Sequence, residues 1–344
     1  MIMGASQRGG VDLRVRLGRL ELANPVIAAA GTFGYGVEFA RAVRLDRLGA
    51  LVIKTITMKP REGNPPPRVV ETPAGMLNSV GLQNVGLEAF LREKLPTLSS
   101  IPVPIIVSML GDTPEEVGEM CRRLDQEKVV VAIELNLSCP NVHRSTPMVP
   151  PPAASARGGS APEAQATWAA AGGGMVAQDV DATIAMVQVA RAKTTKPLIA
   201  KLSPDVTDPR PIAQAAQRAG ADALTVSNTF TGMSLDPRTR RSRLGSLTGG
   251  VSGPAIRPLA LYRVWLAHQA AACPIIGLGG MLTAGDAVEF LLAGATAVAV
   301  GTANFRDPSS GPKIVAGLRR YLERHGLASV QQLVGALEHD AVAV

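Results

Sequence analysis

A cysteine with a carboxamide on either side is the first candidate for chemistry in this sequence. Cys139 lies in the run 134–141, Glu-Leu-Asn-Leu-Ser-Cys-Pro-Asn, where Asn136 and Asn141 flank the thiol. An ionised thiol can abstract a proton, and each carboxamide offers a donor and an acceptor to a planar, amide-rich ligand. The alternative is a buried cysteine in a turn, because free cysteine is among the most buried residue types.

The residues before this run place the cysteine at the end of a strand. Val129 to Ile133 form a continuous apolar, largely β-branched segment, and Pro140 cannot continue a sheet ladder. Similar short apolar segments recur along the chain, as expected of parallel strands covered on both faces. The predicted strands are Val26–Ala30, Ala50–Thr55, Pro104–Met109, Ala132–Leu137, Leu198–Leu202, Ala223–Ser227, Ile275–Leu278 and Ala297–Val300.

Helical segments separate these eight strands. Thr113-Pro114-Glu115-Glu116 is a capping box, for example, and apolar residues follow it at helical spacing. The alternation predicts an α/β fold, namely a closed (β/α)8 TIM barrel in which residues 1–344 form a single domain. A small hairpin over Leu13–Leu22 is predicted before the barrel. An open doubly wound sheet is the alternative, but no GxGxxG pattern follows the first strand.

Polar residues and glycines end several of the predicted strands, where a barrel places its active site. Lys54 and Lys201 are each predicted to end an apolar strand, although lysine is seldom buried without a partner; for Lys54 a surface lysine is the alternative. Gly279-Gly280 and Gly301-Thr302 end the last two strands, and free backbone N–H groups there predict a phosphate site.

Composition argues against several classes of protein. The 344 residues include only 3 Cys, with no CxxC or HExxH pattern, so neither a disulfide framework nor a metal site is expected and a cytoplasmic location fits. No apolar run reaches the ~18 residues of a membrane span. The net charge is +7, but aromatics make up only 3%, too few to stack nucleic-acid bases along a channel.

The remaining cysteines and histidines are predicted to be structural or peripheral. Cys121 lies on an apolar helix stripe and Cys273 begins a strand. His143 lies close enough to Cys139 to form a nucleophile pair, but no carboxylate is placed to orient it.

Four motifs resemble the dihydroorotate dehydrogenases, and most closely their class 1B, NAD-linked catalytic subunits. They are Lys-Pro-Arg-Glu-Gly-Asn-Pro-Pro-Pro-Arg at 59–68, Glu-Thr-Pro-Ala-Gly-Met-Leu-Asn-Ser-Val-Gly-Leu-Gln-Asn at 71–84, Asn-Leu-Ser-Cys-Pro-Asn at 136–141 and Gly-Pro-Ala-Ile-Arg-Pro at 253–258. The resemblance implies an FMN-binding barrel that oxidises dihydroorotate to orotate in pyrimidine (UMP) biosynthesis.

The resemblance also implies roles for individual residues. Cys139 is similar to the catalytic base, and no metal is implied. The implied orotate pocket consists of Lys54, Asn78, Ser79, Val80, Gly81, Leu82, Asn136, Asn141, Asn228 and Thr229. The implied FMN contacts are Ala30, Lys54, Thr55, Asn136, Lys201, Ser227, Gly253, Gly279, Gly280, Gly301 and Thr302.

Class 1B enzymes pass electrons to NAD through a second subunit that carries FAD and a [2Fe–2S] cluster. The resemblance therefore implies a homodimeric core with such a partner, since this chain has too few cysteines for its own cluster. Three alternatives remain: a fumarate-linked class 1A enzyme, another dihydropyrimidine-oxidising flavoprotein, and a barrel that binds a phosphate or a partner without catalysis.

The sequence departs from the family pattern in two ways. Residues 142–178 replace a short loop, and their Pro-, Ala- and Gly-rich composition predicts a flexible insertion after the fourth strand. Ser108 and Ala30 stand where an Asn and a Ser are usual, which puts one flavin hydrogen bond in doubt.

Overall fold

A computed structural model describes residues 10–40, 43–138 and 175–338 of the chain. Cys139, Asn141 and residues 142–174 of the predicted insertion lie outside the described residues. The last residues of that range, 175–178, are described and contain a 3-10 turn, Val176–Gln178, in which Val176 and Ala177 are buried. The backbone N–H of Ala177 donates to the carbonyl of Leu137, so this end of the range packs against the barrel.

Eight parallel strands close into a barrel, which confirms the predicted (β/α)8 fold. In chain order the strands of the molecule are β1 (Val15–Leu17), β2 (Leu20–Leu22), β3 (Val26–Ala28), β4 (Ala50–Thr57), β5 (Val69–Thr72), β6 (Gly75–Asn78), β7 (Ile105–Leu110), β8 (Val130–Asn136), β9 (Leu198–Lys201), β10 (Ala223–Val226), β11 (Phe230–Gly232), β12 (Leu235–Asp236), β13 (Arg241–Ser242), β14 (Gly249–Ser252), β15 (Ile275–Leu278) and β16 (Ala297–Val300). The barrel runs β3-β4-β7-β8-β9-β10-β15-β16 and back to β3.

Helices cover the outside of the barrel and bury one apolar stripe each. They are α1 (Gly86–Ala89), α2 (Leu95–Leu98), α3 (Pro114–Asp125), α4 (Val180–Lys193), α5 (Arg210–Arg218), α6 (Arg257–Ala270), α7 (Ala284–Leu292), α8 (Ala303–Arg306) and α9 (Ser310–His325), with a π-helical turn, Phe90–Lys94, between α1 and α2 and 3-10 turns at Leu45–Arg47, Val176–Gln178, Pro254–Ile256 and Val330–Leu333. The predicted cap of α3 is confirmed, because the Thr113 side chain accepts from the backbone N–H of Glu116.

Short antiparallel elements close the two ends of the barrel. The predicted hairpin is confirmed as β1 and β2, and its Gly18 packs against Asp222, just before β10, at the amino-terminal end of the strands. A four-stranded sheet in the order β11-β14-β6-β5 lies over the carboxyl-terminal end. Sequence reasoning did not predict this second sheet.

The described residues offer neither a membrane-spanning helix nor a cluster of metal ligands. No described helix is both long and apolar enough to cross a membrane. Within the same residues, no group of three or more His, Cys, Asp or Glu side chains is arranged to hold a metal ion.

Candidate active site

A cleft of about 1280 Å³, counted out to its open mouth, lies at the carboxyl ends of the barrel strands. Residues predicted as site residues from the sequence line it together: Ala30, Lys54, Thr55, Asn78, Val80, Gly81, Leu82, Asn136, Lys201, Ser227, Asn228, Thr229, Gly253, Gly279, Gly280, Gly301 and Thr302.

A hydrogen-bond chain fixes the amide of Asn136 at the end of β8. Its Nδ2 donates to Thr55 Oγ1 at 3.3 Å, and that hydroxyl is 2.9 Å from Ser108 Oγ. Its Oδ1 accepts from the backbone N–H of Ser138 at 3.3 Å. All four residues are buried, so the amide is held in one orientation while it faces the cleft. Ser108, whose flavin contact was in doubt from the sequence, bonds to Thr55 and does not line the cleft.

A second amide holds the chain immediately before Cys139. Asn228 Nδ2 donates to the carbonyl oxygen of Ser138 at 2.9 Å and to its hydroxyl at 3.1 Å. Asn228 Oδ1 in turn accepts from the backbone N–H of Thr229 at 2.9 Å. Ser138, the last described residue before the cysteine, is therefore hydrogen-bonded to Asn228, which follows β10 at the cleft.

Three charged side chains belong to the eight barrel strands, all of them within the described residues: Lys54, Glu134 and Lys201. Both lysines line the cleft. Lys201 is 5% exposed and Glu134 is 2% exposed, and Lys201 Nζ lies 3.9 Å from Glu134 Oε1. The strands thus present two positive charges against one negative charge, which favours an anionic ligand.

The glycines at the ends of the last two strands differ in what surrounds them. A Cβ at Gly280, where φ is +76°, would lie 2.7 Å from the carbonyl oxygen of Gly253. A Cβ at Gly301 would meet no atom nearer than 3.8 Å, so packing of the protein does not require glycine there. Gly301 instead leaves open a space on the cleft wall, and such bare backbone is a cradle for a close-fitting ligand.

The end of β6 and the segment that follows it also line the cleft. Asn78 Nδ2 donates to the carbonyl oxygen of Gly250 at 3.1 Å, which ties β6 to β14. Leu82 lines the cleft with φ of +54°, a left-handed conformation that a leucine rarely adopts and that the surrounding fold must enforce.

Ser79 is the one described residue of the predicted set that does not line the cleft. Its hydroxyl accepts from Asn64 Nδ2 at 2.7 Å and lies 2.6 Å from Ser246 Oγ, and the residue is 1% exposed. The structure therefore places it behind the wall, where it joins three loops. The predicted residues Cys139 and Asn141 lie outside the described residues.

Sequence reasoning missed much of the apolar lining of the cleft. The additional residues that line it are Ala29, Gly31, Thr32, Val69, Met76, Ser252, Ile256, Leu278, Met281, Leu282, Ala303 and Phe305. Gly31 and Thr32 belong to the glycine-rich segment after the first predicted strand, which was the available signal. The apolar side chains carry no such signal, because apolar residues occur throughout the sequence.

Comparison with known proteins agrees with this geometry. A family model described as dihydroorotate dehydrogenase matches residues 12–153 and 166–322. Proteins named dihydroorotate dehydrogenase B (NAD(+)), catalytic subunit, are similar over almost the whole chain. The protein of Geotalea uraniireducens is 47% identical over 96% of this chain and 99% of its own length. The protein of Pelobacter propionicus is 49% identical over 95% of this chain and 99% of its own length. The protein of Geobacter sulfurreducens is 46% identical over 95% of this chain and 98% of its own length. The chain belongs to the dihydroorotate dehydrogenase family.

Proposed function

We propose that this chain is the catalytic subunit of an NAD-linked dihydroorotate dehydrogenase, an oxidoreductase that converts dihydroorotate to orotate in pyrimidine biosynthesis. The observation that carries the proposal is the cleft, where two lysines of the barrel strands, three fixed amides and a glycine cradle meet at the carboxyl-terminal end of the barrel. The near-full-length similarity to catalytic subunits of that name supports the same activity.

The residues of the cleft fit a flavin, the cofactor on which dihydroorotate dehydrogenases depend, and we propose FMN. The open cradle at Gly301 and the backbone of Gly279 and Gly280 suit a phosphate beside short backbone segments. Lys201, Thr55, Asn136 and Ser227 would hold the ring, with Ala30, Lys54, Gly253 and Thr302 as further contacts. When bound, FMN supplies the acceptor for the hydride equivalent that leaves C6 of dihydroorotate.

The remaining polar residues suit the substrate. Dihydroorotate carries a carboxylate and a ring of amide N–H and C=O groups. Lys54 offers a point charge to the carboxylate, and Asn78, Asn136, Asn228 and Thr229 offer donors and acceptors to the ring. In this proposal Asn141 is a fourth amide of the substrate pocket. Val80, Gly81 and Leu82 form the apolar wall of that pocket.

Cys139 takes the proton that leaves C5 of the substrate in this proposal. Asn228 supports the role indirectly, because it holds the backbone of Ser138 next to the cysteine. A thiol with an ordinary pKa of ~8.5 is only partly ionised at neutral pH. Flavin reduction by dihydroorotate should therefore become faster as the pH rises toward that value.

The assembly is part of the proposal. The relatives are named as catalytic subunits of an NAD-linked enzyme, which implies a second kind of subunit in those proteins. We propose that this chain forms a homodimer that binds a partner carrying FAD and a [2Fe–2S] cluster. The free thiols of Cys121 and Cys273 are in keeping with the reducing conditions of a cytoplasmic location.

Anaerobic reduction tests the activity. The purified chain, loaded with FMN, is mixed with dihydroorotate, and the flavin absorbance is followed by stopped flow. We expect rapid bleaching, and a Cys139→Ser variant should bleach at least ~10²-fold more slowly with unchanged FMN affinity. No bleaching of the wild-type chain would contradict the proposal.

The electron acceptor is tested on the same reduced sample. NAD, fumarate and a quinone are added in turn, with and without the FAD and iron–sulfur partner. We expect NAD to reoxidise the flavin quickly only when the partner is present. Fast reoxidation by fumarate with the chain alone would instead identify a class 1A-type enzyme.

A further inference from the structure

A buried carboxylate lies one layer below the floor of the cleft, and neither the substrate nor the cofactor roles use it. Glu134 precedes Asn136 by two residues on β8, so both side chains point to the same face of the strand. Asn136 lines the cleft and Glu134 does not. At 2% exposure, Glu134 is shielded from water and depends on protein groups to compensate its charge.

The two oxygens of this carboxylate have different environments. Oε2 accepts a hydrogen bond from Thr225 Oγ1 at 3.0 Å, which fixes the rotation of the group. Oε1 has no hydrogen-bond donor within reach and lies 3.9 Å from Lys201 Nζ. Because no donor competes for Oε1, its charge acts on the Lys201 ammonium, and the separation leaves the ammonium protons available to a ligand in the cleft.

The other groups that face Lys201 do not replace this charge. From the adjacent strand β10 comes Thr225, and from β8 comes Asn136, both uncharged. The other charged side chain of the described strands is Lys54, which lines the same cleft and repels a second cation. Glu134 is therefore the sole anionic side chain on the barrel strands of the described residues.

We infer that Glu134 is a positioning residue that holds the Lys201 ammonium in place and directs it at the bound cofactor. The inference rests on the proposed function, in which Lys201 contacts FMN. Without the carboxylate, the buried ammonium would lose the one anionic side chain of the described barrel strands and would no longer be held in that position. Burying both groups is costly, which is consistent with a role in the site and not in stability alone.

The affinity of the apoprotein for FMN, measured by fluorescence quenching, tests this inference. Glu134→Gln should lower the affinity at least about fivefold, because the Lys201 ammonium loses the carboxylate that holds it. A purely structural defect would lower the affinity by the same factor whether or not residue 201 is a lysine.

A double-mutant cycle supplies the control. With Lys201→Met as background, Glu134→Gln should change the affinity by less than about twofold, because the amine on which the carboxylate acts is gone. Circular dichroism confirms that each variant is folded. An unchanged affinity for Glu134→Gln in the wild-type background, or an equal loss in the Lys201→Met background, would contradict the inference. FMN binding by the wild type would still uphold the proposed function in either case. Failure of the wild type to bind FMN would contradict both.

Discussion

At the scale of single residues, two lysines set the charge of the cleft. Lys54 lies within the apolar strand β4 and Lys201 ends β9, positions where lysine is uncommon, and both side chains line the cleft. Ser79 shows the opposite case. It belongs to a polar motif that resembles a substrate pocket, but its hydroxyl is used to join loops. The motif alone could not separate a side chain that faces the ligand from one that holds the wall.

The glycines of the cradle give a prediction at the same scale. Gly301→Ala should leave the stability of the apoprotein almost unchanged, because the new Cβ meets ordinary contacts of 3.8 Å or more. It should lower the affinity for FMN at least about tenfold, since the methyl group occupies space that the ligand approaches. Thermal unfolding of the apoprotein and FMN titration measure the two effects separately.

Gly280→Ala is the matched control for that substitution. Its Cβ would lie 2.7 Å from a backbone carbonyl oxygen, and its φ of +76° is unfavourable for alanine. This variant should lose about 1–3 kcal/mol of stability before any ligand is added. Unchanged FMN affinity in folded Gly301→Ala would show that the cradle does not receive the cofactor.

At the scale of elements, the barrel strands were predictable and the second sheet was not. Each barrel strand is a mainly apolar run, and the eight segments predicted from the sequence overlap the eight observed strands. Strands β5, β6, β11 and β14 have three or four residues each and lack such runs. The pairing of β6 with β14 joins segments far apart in the chain, such as Asn78 with Gly250, and no local pattern specifies that contact.

Helix α3 carries a prediction about alkaline stability. Cys121 is fully buried on α3, with its Sγ 3.8 Å from Met109 Sδ, and burial raises the pKa of the thiol to about 12. In the unfolded chain the thiol has an ordinary pKa of ~8.5, so the unfolded state releases its proton first. The contribution to stability is complete below that value and is lost as the pH rises toward the folded pKa, by about 1.4 kcal/mol per pH unit.

Cys121→Ala removes this ionisation and tests the sign. The variant should be less stable at neutral pH by about 1–2 kcal/mol, because truncation leaves a small cavity. Its stability should decline less steeply than that of wild type above about pH 9, as measured by urea unfolding. Cys273→Ala is the comparison, since Cys273 is only partly buried and its pKa is raised to about 11. Parallel declines in wild type and Cys121→Ala would rule out the thiol as the cause.

At the scale of the whole molecule, the fold concentrates charge at one end of a largely apolar barrel. The two lysines of the strands face the cleft, and the one strand carboxylate lies beneath Lys201. This arrangement favours anionic ligands such as a phosphate, a carboxylate and a reduced flavin. The contribution of the long segment that follows β8 in the sequence can be tested at this scale.

The family comparison divides that segment. The family model matches through residue 153 and resumes at residue 166, so residues 154–165 fall outside it. The sequence there is rich in Ala, Gly and Ser and contains no Cys, Lys or Asn, the residue types that bind the substrate in the proposed site.

Deletion of Pro147–Ala171 should therefore leave turnover of dihydroorotate within about threefold of wild type, because loop length alone has a small energetic cost. Steady-state kinetics with an artificial acceptor and FMN titration measure the outcome. The shorter deletion of residues 154–165 is the control, since it removes only what the family model leaves unmatched. If the longer deletion abolished turnover while the shorter one did not, residues 147–153 or 166–171 would have to act at the active site, and the prediction of a dispensable insertion would be wrong.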